Sequence, residues 1–565
     1  MRNVTDPLED FLASATDGLS MGTLTPAQRT AASAHLIKGL VTSPLAMLRK
    51  TVELTTQLGD IALGTSAVAP EPGDRRFTHT AWQENPFYKR LGQGYLAWRK
   101  ATYDLVDEIE TDEADRLRSR FLTALMVETL APTNTLVGNP AALETALQTG
   151  GKSLLDGFRH AVWSLQHNGG LPAMVDTRPF KPGETVAATP GAVIFRNDVL
   201  ELIQYQPSTK QVQQRPLLIV PPQINKFYIL DLAPGRSLVE YAVSQGQQVF
   251  MISWRNPNAE MRDWDLDKYV ASIQEAMEAA LEITGSADLN LMGVCAGGIT
   301  TAALMGHLTA LGDDRVHALT FLVTVLDWDS PSTVGSLTNG PSVTASMQQV
   351  KRAGVLDGKE LSRFFAWMRP NDLIWNYWVN NVLMGKNPPA FDVLSWNVDA
   401  TNLPAGLHAD FSTIAADNAM CRAGAVVVGG EPINLGKIDR DAYVVGAETD
   451  HITPWQACYQ TIQLLGGRSE FVLSNMGHVQ VMVNPPDNPK ARYFTNPDAP
   501  SGPGTELDAA GWLAGASEHK GSWWEHWAGW LNGRSGELRP APEKLGSKVF
   551  ASLEAAPGSY VKQEA

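Results

Sequence analysis

From about residue 190 the chain alternates short apolar runs with amphipathic stretches, and this alternation constrains its fold more than any other feature. The segment 191–207, "GAVIFRNDVLELIQYQP", reads as two strands joined by a turn at Arg196, Asn197 and Asp198. Strand readings follow at "RPLLIVPPQI" (215–224), "QQVFMISW" (247–254), "DLNLMGV" (288–294) and "VHALTFLVTVLD" (316–327). Helical periodicity lies between them at "RSLVEYAVSQG" (236–246), "LDKYVASIQEAMEAALEITG" (266–285) and "GITTAALMGHLTALG" (298–312). Repeated strand–helix–strand units of this kind make a parallel sheet with helices on both faces. The pattern lapses over about 328–435, then resumes with a strand (441–450), a helix (454–467) and a strand (469–475).

One strand-to-helix junction carries a chemical motif, Gly293-Val294-Cys295-Ala296-Gly297. It has the form of the G-x-S-x-G nucleophile turn, with a thiol in place of the hydroxyl. That turn bends sharply from strand to helix, so its flanking positions must be small. An apolar strand before it and an apolar helix after it supply the expected context. The fold class is therefore read as α/β, an α/β-hydrolase fold with a mostly parallel sheet and helices on both faces. Residues 186–565 form the catalytic domain, with 328–435 inserted as a cap or lid, and 1–185 form a mostly helical N-terminal domain. The helical pattern of the latter is clearest at 30–54 and 114–130.

A nucleophile at Cys295 requires an acid and a base later in the chain. Asp450 closes one strand reading, and His478 follows the next strand, 28 residues on. A strand–helix–strand unit brings two such loops to the same sheet edge. His451 is too near Asp450 along the chain to be its easy partner, and is read as a supporting or polar-loop histidine with substrate contact as the alternative. Asp327, at the end of "TFLVTVLD", is a rival acid with a turn residue as its plain reading. In this assignment His478 takes the Cys295 proton and Asp450 stabilises the imidazolium. The Ala296 N–H is one oxyanion donor, and the second comes from the loop after the "LLIVPP" strand, at or near Ile224.

The choice of sulfur narrows the substrate. A thiol that attacks an oxygen ester forms a more reactive thioester, an uphill step. Attack on a thioester exchanges like for like, and the acyl-enzyme keeps its activation for transfer to an alcohol or to water. Thioester chemistry is thus favoured, with the acceptor left open.

Bulk properties exclude other classes. With a net charge of −15, a nucleic-acid partner is disfavoured. Three cysteines (Cys295, Cys421, Cys458) are too few and odd in number for a disulfide scaffold, and fit a reducing, cytoplasmic setting. No signal peptide is evident at the start of the chain, and the longest apolar run, 318–326, is about half a membrane span. No transmembrane segment, metal cluster or phosphate-binding loop is expected. The aromatic stretch "FFAWMRPNDLIWNYWVNNVLMG" (364–385) reads as cap core, acyl tunnel or dimer contact. Trp396 is an interface anchor or plain packing. Arg369 is a candidate for a CoA phosphate or for a local pair with Asp372. "SWWEHWAGW" (522–530) reads as an aromatic helix buried against a domain, with granule contact as the alternative, ahead of a polar tail.

Several of these stretches together resemble the polyhydroxyalkanoate synthases: "PPQINKFYILDL" (221–232), "FMISWRNP" (250–257), "GVCAGGITT" (293–301), "RPNDLIWNYWVNN" (369–381), "DHITPW" (450–455) and "GHVQ" (477–480). The resemblance runs from about residue 73 nearly to the end of the chain, and is greatest to the single-subunit, medium-chain class of pseudomonads. It implies polymerisation of (R)-3-hydroxyacyl-CoA with release of CoA. Cys295 would carry the growing chain, with Asp450 and His478 as the family's acid and base, and the substrate's own hydroxyl would be the acceptor. It further implies no cofactor beyond substrate CoA, a homodimer, and work at the surface of cytoplasmic polyester granules. Residues 328–350 depart from the family wording, which leaves chain-length preference and lid motion open. Two alternatives stand beside this reading: a cysteine α/β-hydrolase acting on a thioester or lactone, and a granule-associated scaffold protein without activity.

Overall fold

The computed structural model describes residues 44–109, 112–330, 332–337 and 341–565, in two compact units. The sheet unit comprises Arg178–Lys359 and Asp392–Ala565. Its framework is an eleven-stranded sheet. In chain order the strands are β1 (Gly191–Arg196), β2 (Leu200–Tyr205), β3 (Leu217–Val220), β4 (Val249–Trp254), β5 (Leu289–Val294) and β6 (Val316–Leu322). They continue as β7 (Asp441–Ala447), β8 (Ser469–Ser474), β9 (Arg492–Thr495), β10 (Ser517–Lys520) and β11 (Glu554–Ala555). Across the sheet the order is β10-β9-β8-β7-β6-β5-β3-β4-β2-β1-β11. The central run β8-β7-β6-β5-β3-β4 is parallel, with antiparallel strands at both edges.

The sequence accounts for the central strands. β3 and β5 are covered on both faces, so "LLIV" and "LNLMGV" are buried at every position and run as near-continuous apolar stretches. The edges were less legible. "RYFT" and "SEHK" carry charge and lack an apolar run, yet they pair as β9 and β10 beside β8. The polar tail also returns to the sheet, where Glu554 and Ala555 pair with β1. β6 ends at Leu322, short of the expected Asp327, because Val323 turns out of the strand at φ 45°.

Two helices cover the central strands, and the second adjoins the site. Leu266–Thr284 (α1) starts on Asp265, whose side chain accepts from the Lys268 N–H, and stops at left-handed Gly285. Ala296–Leu311 (α2) follows β5 directly, and every residue from Ala296 to Leu308 is buried. Its Ala, Gly and Thr content lets it run through the interior. The aromatic helix Trp523–Asn532 buries Trp523, Trp524 and Trp527, which agrees with its reading as packing.

The helical unit comprises the described part of Met1–Thr177 together with Glu360–Phe391, a stretch from inside the interval expected to be a cap. The helix expected over 30–54 lies partly outside the described residues, and its described part belongs to Pro44–Leu63. The pattern at 114–130 forms Glu113–Thr129. Glu128 is the polar centre of this unit. It is 3% exposed and accepts from Arg99 at 3.0 Å, Tyr95 at 3.0 Å and Asn371 at 2.8 Å, with Arg76 also paired to it. Burial alone would push its carboxyl up, but these partners outweigh burial and hold it low. Trp367 and Trp375 are buried in edge contact, so this aromatic stretch packs as core.

Trp512 is fully buried in an aromatic cluster with Phe471 of β8, Tyr459 and Trp455. Replacing it with alanine leaves a cavity where an indole stood. Trp512→Ala is expected to cost about 3–5 kcal/mol, measured by urea unfolding.

Candidate active site

β5 delivers Cys295 to the sheet's C-terminal edge, and α2 begins one residue later. Cys295 itself has φ 51° and ψ −121°, a left-handed-side conformation that is unfavourable for a residue with a Cβ. The fold holds it there. The Cys295 N–H donates to the Leu322 carbonyl at 2.9 Å, and its carbonyl accepts from the Gly298 N–H at 2.9 Å. The neighbours must be small. A Cβ on Gly293 would stand 2.6 Å from the Thr301 hydroxyl, and one on Gly297 would stand 2.4 Å from the Val220 and Pro221 carbonyls.

The acid and base arrive from β7 and β8. These strands are parallel neighbours in register, with Ala447 opposite Ser474. Asp450 lies three residues past the first and His478 four past the second. Bonds from the Glu448 N–H to the Ser474 carbonyl (2.8 Å) and from the Thr449 N–H to the Met476 carbonyl (3.1 Å) zip the two loops together. His478 Nδ1 then lies 2.7 Å from Asp450 Oδ2. Cys295 stands at the same edge of the sheet, near enough for its sulfur to favour the charged form of this imidazole. With Nδ1 on the carboxylate, Nε2 is the nitrogen left for the sulfur.

The Asp450 carboxylate is over-determined. Its Oδ1 accepts from the Ile452 N–H at 2.8 Å and the Thr453 N–H at 2.9 Å, as in an Asx turn. Its Oδ2 accepts from the Thr453 hydroxyl at 2.7 Å as well as from His478. The Thr453 oxygen also stands 3.0 Å from His478 Nδ1. Thr453 had not been singled out from the sequence. Its signal is the Asp-x-x-Thr spacing, which is also common in ordinary turns.

These contacts set the charge states. Burial alone would push the Asp450 carboxyl up, but the His478 imidazolium and the bonds from His478 and Thr453 hold it below 3.8. Burial alone would push the His478 pKa down, but the Asp450 carboxylate, the Cys295 sulfur and bonds to both raise it to about 10.

The remaining candidates fall as follows. Ala296 is the first residue of α2, beside Cys295. Ile224 lies in the loop after β3, half-buried. That loop abuts the start of α2 through the Pro221 carbonyl at Gly297, and Gln223 donates to Thr300 at 2.9 Å. His451 follows Asp450 in the turn, half-buried, while the imidazole bonded to Asp450 is that of His478. Asp327 accepts from the Asp329 N–H and the Asn418 amide, as a turn residue does. Arg369 lies in the helical unit and pairs with Asp372 at 2.6 Å. Trp396 is buried and donates to the Lys226 carbonyl at 2.7 Å. Among the described residues no group of His, Cys, Asp or Glu is placed to hold a metal ion, and no helix is long and apolar enough to cross a membrane.

A cysteine at the sharp turn between β5 and α2, with the sheet order above, defines an α/β-hydrolase-fold protein, and residues 216–485 match the family model described as "alpha/beta hydrolase fold". Residues 73–242 match that of the "Poly-beta-hydroxybutyrate polymerase (PhaC) N-terminus". The chain is 48% identical over 528 residues to "Poly(3-hydroxyalkanoate) polymerase 1" of Ectopseudomonas oleovorans, covering 94% of this chain and 93% of that protein. It is 47% identical over 519 residues to polymerase 2 of the same organism (92% and 91% covered). It is also 39% identical over 502 residues to "Poly(3-hydroxyalkanoate) polymerase subunit PhaC" of Cupriavidus necator (87% and 83% covered). The chain belongs to the poly(3-hydroxyalkanoate) polymerase family, and is an acyltransferase of polyester synthesis.

The charge states make stability pH-dependent. A histidine raised from 6.5 to about 10 contributes stability that is complete below 6.5 and lost as pH rises towards 10. A carboxyl held below 3.8 contributes stability that is present above that value and lost on further acidification. The unfolding free-energy gap between wild type and His478→Gln is therefore expected to be widest between about pH 4 and 6.5 and to narrow towards pH 10. Urea unfolding across this range checks it.

Proposed function

We propose that the enzyme polymerises (R)-3-hydroxyacyl-CoA, of medium chain length, into polyester with release of CoA, through an acyl thioester on Cys295. His478 accepts the thiol proton at Nε2. The sulfur attacks the CoA thioester carbonyl, and the oxyanion is met by the Ala296 N–H and an N–H at or near Ile224. Collapse breaks the bond to the CoA sulfur, which leaves with the proton from His478. The 3-hydroxyl of a chain or of a second substrate then gives its proton to His478 and attacks the acyl-cysteine. An ester bond forms and the thiol is regenerated. Asp450 keeps the imidazole oriented and stabilises its charged form.

The observation that carries this reading is the buried Asp450–His478 pair, 2.7 Å apart, at the sheet edge where the strained turn holds Cys295. The medium chain length is proposed from the resemblance of the sequence motifs to the single-subunit, medium-chain class of pseudomonads. The reading requires no cofactor, since CoA enters as part of the substrate and leaves as a product. It includes a homodimer at the surface of cytoplasmic polyester granules, and keeps His451 and Arg369 as supporting residues or substrate contacts, the Asp372 pair favouring the former for Arg369.

The test is CoA release from (R)-3-hydroxydecanoyl-CoA, with the product sized by chromatography. Wild type is expected to release CoA with long polyester. Cys295→Ala is expected to release none, and His478→Gln to be slower by about 10²–10⁴-fold. Free 3-hydroxydecanoate as the sole product would establish a thioesterase instead.

A further inference from the structure

The loop beside the nucleophile helix is tied to a buried lysine, and the lysine to the last residues of the chain. Lys226 is 3% exposed. A buried ammonium without partners is costly, so its partners are informative. It donates to the Val561 carbonyl at 3.0 Å and also to the Gln563 carbonyl. Its nearest anion, Asp399, is 3.9 Å away and is shared with the Tyr228 hydroxyl. The tail that supplies these carbonyls is itself anchored. Fully buried Glu201 accepts from the Ser559 hydroxyl at 2.7 Å and the Tyr560 N–H at 3.0 Å. Asn256 bonds Gln563 and Glu564, and the Val561 side chain is 2% exposed.

At its other end the same loop meets the site. Trp254 donates to the Pro221 carbonyl, which is the atom a Cβ on Gly297 would strike. Gln223 bonds Thr300 one turn into α2. Asn225 turns the chain at φ 65° and reaches the Trp396 and Asn397 carbonyls. Residue 224 thus sits between a contact to the nucleophile helix and a contact to the tail.

We infer that Lys226 is a positioning residue, and that with residues 559–564 it forms a strap fixing the 221–226 loop so that its backbone donor meets the acyl oxyanion. Such a donor serves only while a tetrahedral centre forms, so slackening it weakens the transition state and leaves the bound substrate alone. This inference rests on the proposed acyl-cysteine mechanism.

The experiment compares wild type, Lys226→Met, a variant ending at Tyr560, and the two changes combined. Each is assayed for CoA release from (R)-3-hydroxydecanoyl-CoA and for Cys295 alkylation by iodoacetamide. Alkylation needs a reactive sulfur and develops no oxyanion. The strap predicts kcat lowered at least about tenfold in each single variant, with KM within about twofold, as for loss of an oxyanion donor. Alkylation rates stay at the wild-type value. The combined variant is no slower than the worse single variant, because both changes cut one connection. Wild-type kcat in either single variant overturns the inference, as do multiplying losses in the combination. Slowed alkylation would point to general disruption of the site and overturns it too. If either single variant does not fold, Lys226→Arg decides: a retained donor keeps kcat within about threefold of wild type under the strap, and a larger loss of kcat overturns it. An active Cys295→Ala would instead remove the mechanism on which the inference rests.

Discussion

The strained backbone at Cys295 is the constraint on which the rest of the site depends. A residue with a Cβ at φ 51° persists only where surrounding structure over-determines it. Here β5 ends in register with β6, so the Leu322 carbonyl meets the Cys295 N–H, and α2 starts before the chain can relax. The consequence is functional. Cys295 is held at the end of β5, and Ala296, the first residue of α2, lies directly beside it. Gly293 and Gly297 are required because carbonyls and a threonine hydroxyl occupy the volume that any side chain would take.

Around this fixed sulfur, electrostatics do the remaining arranging. The Asp450 carboxylate is buried, a costly placement unless its oxygens are filled, and four donors fill them. A carboxylate held charged in this way fixes a proton of His478 on Nδ1 and leaves Nε2 on the side of the ring away from the carboxylate. The raised His478 and the lowered Asp450 are two views of one interaction, each partner favouring the charged form of the other. Thr453 strengthens it from both sides, with a hydroxyl close enough to reach the carboxylate and the imidazole.

Much of this was legible from local sequence. Central parallel strands are buried on both faces, so they appear as unbroken apolar runs, and a turn as demanding as that at Cys295 leaves glycines where they can be read. The pairing of Asp450 with His478 followed from strand order alone, since neighbouring parallel strands carry their loops to one edge. Asp327 was a weaker rival by the same rule. It failed because Val323 ends β6 early, and no residue type signals a buried valine at φ 45°. The edge strands β10 and β11 were missed because edge strands need no apolar run, and β9 beside β10 because "RYFT" is only four residues long with a charge at its start.

The sequence by itself determined the alternation that makes the sheet, the thiol at its sharpest turn, and the order of nucleophile, acid and base, because each is written in residue types a few positions apart. Only the tertiary structure decided which groups meet. Lys226 and Gln563 lie 337 residues apart, and nothing in either stretch names the other. Their contact arises because β11 closes one edge of the sheet and carries the tail back beneath the loop that follows β3. Burial then converts that proximity into specificity, since a charge removed from water must find partners wherever the fold has put them.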